Sequence, residues 1–169
     1  MVGGLVPNLD NIITDVIRKE GGAKVTNDPT DKGGRTQFGI SEKANPQAWL
    51  DGKVTEKEAR EIYLQMYVIF PKWHLIPSSH VIVQKLLIDW SVISGPQLAT
   101  QKLQEVLGVK VDGVFGPESL AALVATDAKE LNNKLVAERI RMVGRIVGKN
   151  PAQGKFLLGW LNRALEFLV

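Results

Sequence analysis

The chain has 169 residues, 44% of them hydrophobic and 23% charged, which suits one domain with room for a subdomain and enough apolar side chain for a core of its own. It contains no cysteine, so disulfides, thiolate zinc ligands and thiol nucleophiles are excluded together. Lys and Arg outnumber Asp and Glu by 21 to 18; the attraction to polyanions is mild and the basic residues form no run, so no nucleic-acid partner is expected.

The amino terminus, MVGGLVPNLDN, lacks a basic region and a long apolar stretch, so it does not read as a signal peptide. No window reaches the roughly 18 apolar residues of a membrane span, and no stable membrane insertion is expected. Leu9, Ile12, Ile13, Val16 and Ile17 repeat at helical spacing, with Asn8 as the expected cap and Gly21-Gly22 as the stop. Residues 23 to 40 lack that period and are rich in Gly, Asp and Thr, which predicts a loop or small hairpin with a turn at Asp31-Lys32-Gly33-Gly34. Thr55 to Glu58 reads as a capping box, opening a helix through Ala59, Ile62, Tyr63 and Met66 that must end near Pro71.

Residues 78 to 94 are apolar on nearly every face, the pattern of a helix surrounded by others. Gly95-Pro96 ends it and opens another, with Ala99, Leu103, Val106 and Leu107 inward and Gly108 as its cap. A turn at Asp112-Gly113 and a helix opened by Pro117 follow, then one from Asp127 through Leu131, Leu135 and Ile140 to Gly148. A last helix carries Phe156, Leu157, Trp160, Leu161, Ala164, Leu165 and Leu168 on one stripe. The fold class is all-α, or mainly helical α+β, with one small β-hairpin after the first helix. The internal boundary falls near Gly95-Pro96, giving regions 1–94 and 95–169.

Glu20 is the residue that needs explaining. A helix C-terminus carries partial negative charge and prefers Lys or Arg, so a glutamate there sits where its charged form is disfavoured. A carboxylic acid that keeps its proton is what general-acid cleavage of a glycosidic bond requires. Such a reaction also needs a second group across the scissile bond to hold a water or stabilise the oxocarbenium-like transition state. Asp31 and Thr36 fit that need, with Asp28 as the alternative; the sequence does not give the carboxylate separation, so retaining and inverting outcomes both stay open.

The stretches EGG at 20–22, NDPTDKGGRTQFGIS at 27–41, LQEVLGVKVDGVFGPESLAAL at 103–123 and GWLNR at 159–163 together resemble glycoside hydrolase family 108. These are lysozyme-like N-acetylmuramidases, common as phage endolysins, with a C-terminal region described as peptidoglycan-binding. The resemblance implies a lysozyme-like fold and cleavage of the β-1,4 bond between N-acetylmuramic acid and N-acetylglucosamine. Glu20 then matches the catalytic glutamate, and Asp31 and Thr36 position the water. It also implies a monomer that acts on peptidoglycan glycan strands, accumulates in the host cytoplasm and reaches the periplasm and wall when a holin opens the membrane. Three positions depart from the family pattern: Ala23 where an aromatic often follows EGG, Ile93 where Asn is common, and Ser119 in place of Thr.

Asp28, Gln37, Tyr63 and Trp73 are the candidate substrate-binding residues. Tyr63 is expected on the inward stripe with its hydroxyl toward the cleft, and Trp73, after the break at Pro71, as a sugar platform. Trp90 and Trp160 are expected in the core. Asp89 lies inside the apolar helix and requires a cationic or amide partner. His74 and His80 lack metal-ligand spacing, and neither metal nor cofactor is expected.

Overall fold

The structure, a computed structural model, describes residues 7–27 and 34–169. It is mainly helical, with one two-stranded antiparallel hairpin, and the chain divides into two compact units, Met1–Ile69 and Phe70–Val169. Among the described residues, no helix is long and apolar enough to cross a membrane.

In the first unit, α1 (Pro7–Lys19) buries Leu9, Ile12, Ile13, Val16 and Ile17, the stripe its spacing predicts. Asn8, the expected cap, lies within the helix as it is described. β1 (Thr36–Gln37) and β2 (Ile40–Ser41) pair through Thr36 with Ser41 and Gln37 with Ile40, and Thr26 bridges to the other edge of Thr36. The expected capping box is present at α2 (Glu56–Leu64): the Thr55 hydroxyl accepts from the Glu58 N–H at 3.2 Å, and the Glu58 carboxylate accepts from the Thr55 N–H at 2.8 Å. Arg60 ties α2 to α1, reaching Asp10 at 3.0 Å and the Thr14 hydroxyl at 2.8 Å. Beyond Leu64 the helix widens into a π-helical turn, Gln65–Ile69.

The second unit is built around α3 (Val81–Ser94), which packs against α4 (Pro96–Leu107) and α6 (Ala128–Lys149). Val83, Leu86, Leu87, Ile88 and Trp90 are fully or almost fully buried, as an all-round apolar helix requires. α4 ends on Gly108 in the left-handed conformation. α5 (Pro117–Ala125) and α7 (Leu157–Leu165) complete the unit, and the Asp127 side chain caps α6 by accepting from the Glu130 N–H. The Asp112-Gly113 turn is organised by buried Gln104, whose side-chain oxygen accepts from both turn N–H groups and whose amide donates to Ser119, the departure from the family pattern. So α3, expected with the first region, packs with the C-terminal helices.

Two aromatic and apolar expectations fail here. Trp160 is only half-buried, stacked on Phe156 at 5.6 Å between centroids, and Leu165 and Leu168 of the expected core stripe are exposed along with Leu158. In α7 Ala164 is buried and Leu157, Trp160, Leu161 and Arg163 are half-buried, so the predicted stripe faces inward only in part. Asp89, by contrast, has the partners its burial requires: Arg139 at 2.9 Å and Arg163 at 3.0 Å, from α6 and α7.

Candidate active site

The end of α1 answers why a glutamate precedes two glycines. The Gly22 N–H bonds the Ile17 carbonyl at 3.1 Å and the Gly21 N–H bonds that of Arg18 at 3.4 Å, the paired bonds of a Schellman cap, with Gly21 at φ +95°. Glu20 is therefore the cap residue itself. Its N–H is fixed on the Val16 carbonyl at 3.0 Å, and its half-buried side chain leaves the helix at a defined point. A left-handed residue directly after Glu20 turns the chain back, which glycine allows at little cost.

The hairpin is then fastened to that cap. Its two-residue turn, Phe38-Gly39, has φ of +52° and +76°, as a tight antiparallel hairpin of type I′ demands. A left-handed phenylalanine is strained, by about 1–3 kcal/mol, and persists only when its surroundings over-determine it. Both of its backbone groups are held: the Phe38 N–H donates to the Gly22 carbonyl at 2.8 Å, and its carbonyl accepts from the Tyr63 hydroxyl at 2.9 Å. Gly39 lies in the resulting angle. A methyl at its Cα would fall 2.3 Å from the Tyr63 oxygen and 2.7 Å from Glu20 Cβ, so backbone, glutamate and tyrosine close on one point.

Tyr67 completes the arrangement. It sits on the π-helical turn with its ring 5.7 Å from that of Tyr63. Its phenol is pushed above the ordinary tyrosine range, first by burial and second by the negative charge of Glu20. π-turns inside helices occur often at functional sites, because the extra residue redirects the side chains after it.

Of the residues singled out in the sequence, Glu20, Thr36, Gln37 and Tyr63 all fall in this first unit. Thr36 is held between Thr26 and Ser41 by backbone pairing on both edges. Gln37 braces the scaffold: its amide donates to the Ala23 carbonyl at 3.0 Å and its oxygen accepts from the Val54 N–H at 2.9 Å. Tyr63 is buried, with its hydroxyl on Phe38. Asp28 and Asp31 lie outside the described residues. Trp73 corrects an expectation: it is 0% exposed in the second unit, its indole N–H on the Ser91 hydroxyl and its ring 4.9 Å from Phe115, so no sugar can stack on it. Pro71 breaks the helix, but the following turn drives the indole inward.

Gly39 and Tyr67 are the residues that sequence reasoning left out of the site. Phe-Gly carries none of the Asn-Gly or Asp-Gly signal of a type I′ turn, and a π-turn leaves no periodic trace. Among the described residues there is no group of three side chains suited to holding a metal. His80 is instead engaged by the Ser79 hydroxyl and the Thr126 carbonyl.

Residues 13–95 match the glycosyl hydrolase 108 family model, and residues 98–165 match a model described as a predicted peptidoglycan domain. Residues 13–95 are a glycosyl hydrolase 108 domain. The chain is thus a glycoside hydrolase, and the peptidoglycan domain that follows makes it a peptidoglycan hydrolase. It is similar to a solved structure, Brucella abortus SagA, at 28% identity over 94% of each chain, with a TM-score of 0.67. No curated protein matches the chain.

Proposed function

We propose that this hydrolase is an N-acetylmuramidase in which Glu20 donates the proton that cleaves the β-1,4 bond between N-acetylmuramic acid and N-acetylglucosamine. The observation that carries the reading is the packing of the Glu20 side-chain stem and the Tyr63 hydroxyl against Gly39, an approach that only a glycine in the turn permits. Glu20 protonates the bridging oxygen as the bond to the anomeric carbon breaks. A water adds to that carbon and its proton passes to a second group. Thr36, held in the hairpin next to the turn, and Asp31 are assigned to hold that water. The Tyr67 phenol orients the carboxyl.

The same reading makes the protein a phage-type endolysin. It is a monomer that gathers in the host cytoplasm, gains the wall through a holin lesion and lyses the cell. Mass spectrometry of muropeptides released from purified peptidoglycan tests the reaction. Hydrolysis leaves reducing N-acetylmuramic acid ends, each product pair heavier than the substrate by one water. A 1,6-anhydro product would assign the protein to transglycosylation, and an absence of release would leave it a wall-binding protein.

A further inference from the structure

One groove lies wholly within the second unit. It has a volume of about 860 Å³ and runs between the segment entering that unit, the start of α4 and the Asp112-Gly113 turn. Its chemistry is mixed in a particular way. Phe70, 77% exposed, and Val114, 60% exposed, offer apolar surface that the core does not use. Gln97 and Gln101 stand one helical turn apart on α4, and the Gly113 backbone packs so closely on them that a Cβ there would come within 3.0 Å of the Gln97 side chain. Lys72 brings an ammonium from a residue held at φ +65°, and Asp112 brings a carboxylate.

Asp112 is built to stay charged. The Gln104 amide donates to it at 2.9 Å and the Val114 N–H at 2.9 Å; these bonds, the Gln104 one foremost, hold its carboxyl below the usual carboxylate range, with Lys110 3.8 Å away. A neutral saccharide lying in this groove offers hydroxyl hydrogen bonds to an ammonium and a carboxylate but brings a counter-charge to neither. A short peptide bearing both free carboxylates and an amine answers both. It would lay small side chains on the apolar surface and exchange backbone hydrogen bonds with the two glutamine amides.

We propose that this groove binds the peptide stem of peptidoglycan, with Lys72 receiving a stem carboxylate, Asp112 the side-chain amine of its diamino acid, and Gln97 and Gln101 the stem backbone. The inference rests on the peptidoglycan-hydrolase reading and adds a peptide-recognising site to the glycan-cleaving one.

The test uses the full chain with two probes. A glycan-free tetrapeptide containing a diamino acid is titrated by calorimetry, and hydrolysis is followed on intact peptidoglycan and on glycan strands stripped of peptide. The wild type binds the tetrapeptide, and Lys72→Gln and Asp112→Asn each weaken it roughly tenfold, the scale of one charge-assisted hydrogen bond. Both variants raise KM on intact peptidoglycan several-fold, leave kcat unchanged and cleave stripped glycan as the wild type does. Asp112→Asn keeps the acceptor for Gln104 and Val114, and Lys72→Gly, suited to its backbone angle, provides a second removal of the ammonium. The proposal is overturned if the wild type cleaves intact peptidoglycan yet binds no tetrapeptide. It is equally overturned if a peptide-free chito-oligosaccharide binds in its place, or if the variants impair both substrates alike. Should the wild type cleave neither substrate, the hydrolase reading falls, and the calorimetry alone then upholds or overturns the groove.

Discussion

Glu20 and Asp89 are both carboxylates at the edge or centre of an apolar helix, and the structure treats them in opposite ways. Asp89 is 2% exposed and gripped by two guanidinium groups from different helices; Arg139 also lies over the Trp90 and Phe167 rings at 5.8 and 5.9 Å. Burial is the chief influence on Arg139 and lowers its pKa, which marks how little solvent reaches the cluster. That carboxylate holds three helices together. Glu20 instead ends its helix, half-buried, beside Gly39 and the Tyr63 hydroxyl, with its backbone fixed by the cap. The lesson is that a carboxylate tied by cations serves the fold, whereas one fixed by its backbone can serve a reaction.

Substitutions sharpen that contrast. The largest effect is expected for Glu20→Gln, which should lower peptidoglycan hydrolysis by about 10²- to 10⁴-fold, the usual contribution of a general acid, with little change in melting temperature. Asp89→Ala should do the reverse, costing about 3–5 kcal/mol in urea unfolding because two buried arginines lose their counter-charge. A folded Asp89→Ala protein with wild-type stability would remove the distinction. Gly39→Ala joins the two behaviours: its left-handed backbone and the Tyr63 oxygen 2.3 Å away predict a loss of about 1–3 kcal/mol together with a fall in kcat, as the hairpin lifts from Glu20.

Smaller effects follow at the margin of the site. Tyr67→Phe keeps the ring but removes the phenol, and should lower kcat while leaving stability and the helix intact; an unchanged pH–rate profile and kcat would dismiss its orienting role. The smallest effect concerns pH. Arg35 holds Glu42 by two hydrogen bonds, at 2.9 and 2.8 Å, which depress the Glu42 pKa. A depressed folded value means that the stabilisation is present above the ordinary carboxylate pKa and is lost as pH falls through the lowered one. Melting temperature should therefore drop more steeply on acidification in the wild type than in Glu42→Gln.

How far the sequence foretold this follows from what each feature depends on. The stripe of α1, the capping box at Thr55 and the apolar helix around Asp89 are local patterns, and they were legible because period and capping chemistry depend on near neighbours. Glu20 stood out because its charge contradicts its place. The Phe38-Gly39 turn did not, since its left-handed phenylalanine is imposed from outside by Gly22 and Tyr63, residues 16 and 25 positions away in sequence. Trp73 and the leucines of α7 were misjudged for a related reason: a pattern identifies an apolar face, but only packing decides whether that face is covered.

The central claim is that Glu20 acts by giving a proton to the leaving oxygen. Kinetics of Glu20→Gln on a series of aryl glycosides of the peptidoglycan disaccharide, with leaving groups of falling pKa, test it most directly. The account predicts that the defect shrinks steadily as the leaving group needs less protonation. A defect of the same size across the whole series would contradict it.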